Sequence, residues 1–444
     1  MMFLYGGRPG EVNKKVGQLM FCCFFFVSSH LLSFIYWLMT LRNKLLLLCL
    51  GFVGIHVHAQ EYTDYLFAYF SGNWPDGEQV RYAVSDDGYN YRALNNGRPV
   101  IASDTIALKR SVRDPHIVRA KDGKTFYMVV TDMRSDMGWQ SNDGIVMLKS
   151  SDLLHWEHTA IHFPTRFPDL EGFDEKNLHA VWAPQTIWDE KEGKYMVYYS
   201  IGRHDWEYPT DDPRFKQPYF RIYYSYANEN FTDITEPKLL FDFGTAAIDG
   251  DIVYDVKNEE YVLFFKDEGR SVMNVKGNFR TRQGVMRATS KTLTGPYTVE
   301  YRHLQKPGQY PVEGSSVFPL IGSDEYVLMY DCYANGHYQF CTSSDLQHFT
   351  YVKDTPTRGN FTPRHGSVIH ITEAERQRLE AWSSLGEAVQ DMGKIAVPCY
   401  TLKELAQRKE LERYAEKIMA TKSDAKAFKQ AEKKIRKFIA KIKQ

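Results

Sequence analysis

The chain has 444 residues, with 55 Lys and Arg balanced by 55 Asp and Glu, so its formal net charge is zero. Apolar residues make up 43%, aromatics 14% and charged residues 25%, which excludes a disordered chain, a collagen and a disulfide miniprotein. The length allows one large domain or two to three average ones, and neutrality argues against a nucleic-acid binder only if the charges are evenly spread.

They are not evenly spread. Residues 1–59 hold two apolar runs. Leu19 to Tyr36, broken by Ser28, Ser29 and His30, is long enough to span a bilayer. Met39 to Lys44 is a short basic stretch, Leu45 to Val57 is apolar, and Val57-His58-Ala59 before Gln60 is a small-residue cleavage site. That second set has the three-part layout of a secretory signal peptide. The reading is therefore a leader over 1–59. Translation starts at Met39, residues 1–38 are an over-extended reading frame, and the signal peptide covers 39–59. The mature chain is then secreted or periplasmic, with no membrane contact after leader removal.

From residue 60 the signal is β. Short runs rich in Val, Ile, Tyr and Phe alternate with turn residues. One run recurs five times, led by Tyr65, Tyr127, Tyr195, Tyr261 and Tyr326, at spacings of 62, 68, 66 and 65 residues. A second strand type ends in a polar turn and an aromatic: Ser85-Asp86-Asp87-Gly88 before Tyr91, Ser151-Asp152 before Trp156, and Ser344-Asp345 before Phe349. A third element precedes four of the tyrosines: Asp114-Pro115-His116-Ile117, Ala183-Pro184-Gln185-Thr186, Asp249-Gly250-Asp251-Ile252 and Glu313-Gly314-Ser315-Ser316. Its fifth copy is His365-Gly366-Ser367-Val368-Ile369, past the last repeat. Five β units predict an all-β, five-bladed β-propeller over 60–372, with the last strand completing the first blade and closing the ring. The third elements should line the central axis.

Cys332, Cys341 and Cys399 follow the leader, too few and too odd for a disulfide framework. A two-residue turn at Asn335-Gly336 would set Cys332 opposite Gln339, so free buried thiols are expected. Residues 373–444 read as a helical, basic C-terminal extension. Positions 405–444 carry 13 Lys and Arg against 5 Asp and Glu, with apolar residues near helical spacing. With +4 on the leader and +8 on the tail, residues 60–404 carry −12. An acidic propeller suits a neutral glycan and not a nucleic acid.

The axial segments bring Asp114, Asp249 and Glu313 to one repeat position. Three buried carboxylates repel, which raises at least one pKa. An acid kept protonated beside a carboxylate kept ionised is what glycoside hydrolysis needs. Strand alternation sets Asp249 and Asp251 on the same side. Among the tryptophans, Trp182 reads as core, while Trp74 and Trp139 sit in loops and can stack on sugar rings. Arg113 and His116 can bind sugar hydroxyls or support Asp114, and His365 is a further substrate-binding candidate.

With Arg113-Asp114-Pro115, Ile248-Asp249, Val312-Glu313-Gly314, Trp182-Ala183-Pro184 and Arg364-His365-Gly366 in order at blade spacing, the chain resembles glycoside hydrolase family 43 over roughly residues 62–372. The resemblance implies Asp114 as general base, Glu313 as general acid and Asp249 as the residue that orients that acid and tunes its pKa. It departs from the family pattern at Gly250, where many members have Pro. Members invert the anomeric centre, so base and acid should lie about 6.5–9.5 Å apart. No cofactor is required; His365 stands at an axial position that the resemblance links to water or to an axial calcium, with no metal ligand assigned. The implied partner is an oligo- or polysaccharide of plant type, cleaved first at α-L-arabinofuranosyl and next at β-xylosyl units. The alternatives are a galactose-directed hydrolase of the same family and a carbohydrate-binding propeller without catalysis. Oligomeric state is left open.

Overall fold

A computed structural model describes residues 61–206, 219–274 and 276–443. The leader and its cleavage site lie outside the described residues. Five four-stranded antiparallel sheets make up most of the molecule. The first contains β1 (Asp64–Tyr69), β2 (Arg81–Ser85) and β3 (Arg92–Ala93), with β22 (Gly366–Ile371) on its inner edge. The second contains β4 (Val112–Arg119), β5 (Phe126–Asp132), β6 (Gly144–Ser150) and β7 (Glu157–His162). The third contains β8 (Leu178–Asp189), β9 (Lys194–Arg203), β10 (Tyr219–Tyr226) and β11 (Lys238–Phe241). The fourth contains β12 (Ala247–Asp255), β13 (Glu260–Asp267), β16 (Val285–Ser290) and β17 (Thr298–Glu300), with the small hairpin β14 (Met273–Asn274) and β15 (Phe279–Arg280) inserted. The fifth contains β18 (Glu313–Pro319), β19 (Tyr326–Cys332), β20 (His337–Ser343) and β21 (Thr350–Pro356).

This is the five-bladed propeller expected from the repeats. The five tyrosine-led runs are the second strands of the blades. They read as continuous apolar runs because both faces are buried, and alternation sends successive side chains into two different inter-blade cores. On β5, Tyr127 and Val129 pack with Val197 and Tyr199, while Met128 and Val130 pack with Leu66 and Tyr82. On β13, Val262 and Phe264 meet Leu328 and Tyr330, while Leu263 and Phe265 meet Met196 and Tyr198. Each such side chain contributes roughly 1.5–3 kcal/mol on burial. The ring closes where β22 pairs with the whole of β1, from Asp64 opposite Ile371 to Tyr69 opposite Gly366.

The recurring Ser-Asp turn has a local cause. The Asp152 Oδ1 accepts from the Leu154 and His155 amides at 2.9 and 2.8 Å, and Asp345 does the same for Gln347 and His348 at 2.9 and 2.7 Å. A side-chain acceptor replaces a backbone one, so the turn holds without neighbours. The hairpin between β19 and β20 differs from the expected one. Cys332 faces His337, because residues 333–336 all belong to the turn. Cys332 and Cys341 are buried free thiols, but Cys399 is exposed.

The C-terminal extension is three helices: α1 (Glu373–Gly393), α2 (Leu402–Thr421) and α3 (Ala425–Ile442). Thr372 with Glu375, and Thr401 with Glu404, form reciprocal caps at the first two. Trp382, Leu385 and Met392 of α1 pack on Phe428, Ile435 and Phe438 of α3. The helices seat on the first two blades. The Asn95 amide donates to the Ser383 hydroxyl at 2.7 Å, and Arg119 reaches Glu375 at 2.7 Å.

Candidate active site

The inner strands are not regular. On β4, Arg113 pairs with Thr131 and His116 with Val129, so one extra residue is inserted. The same skip occurs between Trp182 and Gln185, between Ile248 and Asp251, and between Glu313 and Ser316. In each bulge one residue takes positive φ: Asp114 at 52°, Ala183 at 48°, Asp249 at 54° and Gly314 at 59°. Only the glycine adopts this region without strain. A bulge re-aims the side chains that flank it.

Two expectations are corrected by this. Asp114 and Asp249 are equivalent, but the equivalent of Glu313 is Arg113 or Ile248, because Gly314 holds the positive-φ place. Asp249 and Asp251 do not share a side either. The bulge turns Asp249 into a cavity of about 540 Å³ at one end of the axis, and leaves Asp251 on a second cavity of about 360 Å³. His116 goes with Asp251 into the second cavity, away from Asp114. Its Nδ1 accepts the Thr186 amide at 3.2 Å, and burial pushes its pKa down to about 3, so it is a neutral structural ring.

The larger cavity brings Asp114, Asp249 and Glu313 together, from three different blades. Asp114 accepts from the Thr131 hydroxyl at 2.8 Å, and the same hydroxyl accepts the Ala183 amide at 2.9 Å. The His365 Nδ1 lies 3.4 Å from Asp114 and 3.9 Å from Asp249. The Gly314 amide donates to Asp249 at 3.0 Å. Glu313 is clamped by Lys266 at 2.9 Å and Arg364 at 2.8 Å. Arg364 also grips the buried Asp331.

These contacts set the charges. Burial alone raises the Asp114 pKa, but the hydrogen bond and charge of His365, with help from Arg113 and Thr131, hold it below the usual carboxylate value. Burial, reinforced by the charges of Glu313 and Asp114, pushes Asp249 up to about 6 against the pull of His365 and Lys266. Burial also opposes ionisation of Glu313, yet Lys266 and Arg364 bring it down to about 2. Burial disfavours the imidazolium of His365, but three carboxylates lift its pKa to about 9. The site thus holds Asp114 and Glu313 ionised, and of the three carboxylates Asp249 is the one closest to keeping its proton.

Among the other expected binding residues, Arg113, Trp139 and His365 line the cavity. Arg113 is held by Asn73 at 2.8 Å and Glu78 at 3.3 Å, with Trp139 over its guanidinium at 5.2 Å. Trp74 does not line it; it is half exposed and folds back over Gly72 and Gly77. Trp182, expected in the core, forms the cavity wall, stacked on Phe220 at 4.6 Å. Sequence reasoning passed over Lys266 and Glu268. Their signal was a charged stretch, Lys266-Asp267-Glu268, directly after the buried run Tyr261–Phe265. Among the described residues no group of three or more His, Cys, Asp or Glu is placed to hold a metal ion.

A profile of the glycosyl hydrolase 43-related type, described as "Probable glycosyl hydrolase domain", matches residues 60–377. An alpha-L-arabinofuranosidase of Bifidobacterium longum subsp. longum is 26% identical over 388 residues, which cover 72% of this chain and 34% of that protein. The chain therefore spans about a third of the length of that curated relative. A thermostable family-43 glycoside hydrolase superposes with a TM-score of 0.41 at 16% identity, over 58% of this chain and 78% of the other. An exo-1,5-alpha-L-arabinanase from a bovine ruminal metagenomic library does so with a TM-score of 0.43 at 16% identity, over 66% and 95%.

Proposed function

The chain belongs to the glycosyl hydrolase 43-related family, and from that premise we propose that it is an inverting glycosidase. Its proposed substrates are plant-type glycans, from which it removes α-L-arabinofuranosyl or, next, β-xylosyl units. We propose in addition that a signal peptide over 39–59 takes it outside the cytoplasm. The observation that carries this reading is the meeting of Asp114 and Glu313, from the second and fifth blades, in one cavity large enough for a sugar.

In this reading Asp114, kept ionised by His365, takes a proton from water as the water attacks the anomeric carbon. Glu313 delivers a proton to the leaving-group oxygen. Asp249 is a positioning residue: its bond to the Gly314 amide fixes the backbone that carries Glu313. Trp139 and Trp182 supply flat walls for sugar faces.

A binding propeller without turnover is the second reading. The clamp of Lys266 and Arg364 on Glu313 favours it, because an ionised Glu313 has no proton to give. A panel of arabinofuranosides, xylosides and galactosides, each assayed for hydrolysis and for binding by calorimetry, separates the two. Cleavage of a pentoside supports the first reading. Binding without cleavage of any of them supports the second.

A further inference from the structure

A general acid that is ion-paired to a lysine needs a way to regain its proton. The Lys266 ammonium is buried at the end of β13 and lies 2.9 Å from Glu313 and 2.7 Å from Glu268. The ring of Tyr333 sits beneath it at 5.0 Å. Glu268 lines the same cavity, and its Oε2 is the oxygen that faces the ammonium. Lys266 therefore sits between two carboxylates and touches both. Arg364 has no such freedom, because its guanidinium bridges Glu313 and the buried Asp331 at once.

We propose that Lys266 is a positioning residue that decides when Glu313 carries a proton: its ammonium is shared between Glu313 and Glu268, and settling on Glu268 lets Glu313 take up a proton. That proton comes from water, and Lys266 keeps its own charge throughout. Glu313 then hands the proton to the leaving oxygen and returns to Lys266 as a carboxylate. The proposal rests on the reading of Glu313 as general acid. It removes the conflict between that role and the clamp, because a lysine that changes partner leaves neither charge buried and unpaired.

The other charged or titratable groups around Glu313 act in both states. Arg364 and His365 face it from the segment just before the closing strand, and Arg113 from the second blade. Asp249 faces it from the fourth blade, and Asp331, Tyr333 and Tyr338 from the fifth. Of the two cations bonded to Glu313, Lys266 is the one whose other acceptor, Glu268, lines the cavity.

The test compares Lys266→Met, Glu268→Gln and Lys266→Arg with the parent chain. The first readout is the alkaline limb of kcat/KM on a non-activated oligosaccharide. The second is the carbon-13 titration of the Glu313 carboxyl, assigned by its loss in Glu313→Gln. Lys266→Met should move both midpoints up by at least one pH unit. Glu268→Gln, which leaves Lys266 on Glu313, should move both down, and Lys266→Arg should stay near the parent. A lysine fixed on Glu313 would raise the midpoints in Lys266→Met but leave them in place in Glu268→Gln, so unmoved midpoints in Glu268→Gln overturn the proposal. If Lys266→Met does not fold, the direction of the shift in Glu268→Gln decides alone. If the carboxyl titration moves as stated and no glycoside is cleaved, the hydrolase reading fails and the sharing of Lys266 stands.

Discussion

The two ends of the propeller axis are built from the same five strands and differ in chemistry. Asp249 and Asp251 are separated by one glycine, and both are buried acids with raised pKa values, about 6 and about 7. Asp251 accepts the Val317 amide at 2.7 Å, in a cavity whose lining cations Arg119 and Lys121 pair with Glu375 and Glu190 instead. Asp249 faces Glu313, Lys266, Arg364 and His365, beside an aromatic wall. A buried acid is therefore not a site by itself. The bulge chooses which acid meets the cations, and the meeting of opposite charges around an open cavity makes the chemistry.

The comparison breaks most visibly in activity. Glu313→Ala and Asp114→Ala should each lower turnover of a natural glycoside by about 10²–10⁴-fold, the worth of a positioned acid or base. Asp251→Asn, at the other end, should leave kcat and KM unchanged. Steady-state kinetics on the three purified variants checks this. An equal loss in Asp251→Asn would mean that the two ends are not functionally distinct.

Stability gives the next largest contrast. A Cβ on Gly314 would sit 2.7 Å from the His365 ring, on a backbone with φ of 59°. Gly314→Ala should cost about 1–3 kcal/mol and displace His365. Chemical denaturation measures the cost.

His365 and Asp251, at opposite ends, should also lose their contributions to stability in different pH windows. The His365 pKa is raised in the folded chain, so its contribution is complete below about 6.5 and disappears as pH rises through about 9. The Asp251 pKa is raised as well, so its contribution is complete below about 3.9 and disappears as pH rises through about 7. His365→Gln should flatten the upper window of the unfolding free energy, and Asp251→Asn the lower. The smallest effect concerns the two tryptophans. Trp139→Ala should raise KM by roughly tenfold, equivalent to about 1.4 kcal/mol, whereas Trp74→Ala should not change it.

Much of this architecture was legible in the sequence, for a physical reason. Strands buried on both faces must be continuously apolar, so Tyr127–Val130 and its four copies announce the blades. The closing strand announced itself through a fifth copy of the axial motif. The bulges were hidden, because positive φ at Asp114, Ala183 and Asp249 is imposed by the ring and not by residue type. That is why Asp251 and His116 were expected on the wrong side. Lys266 was missed because its partner Glu313 is 47 residues away, so the local charged stretch at 266–268 does not show which acid it meets. Cys332 was placed opposite the wrong residue because Asn-Gly suggests a two-residue turn where the chain uses four.

The central claim is that the Asp114–Glu313 cavity hydrolyses glycosides with inversion. Following the first-formed anomer of the released sugar by proton NMR tests it most directly. The account predicts that the anomeric configuration is opposite to that of the substrate. A first product of retained configuration would contradict the assignment of Asp114 as the base that activates water.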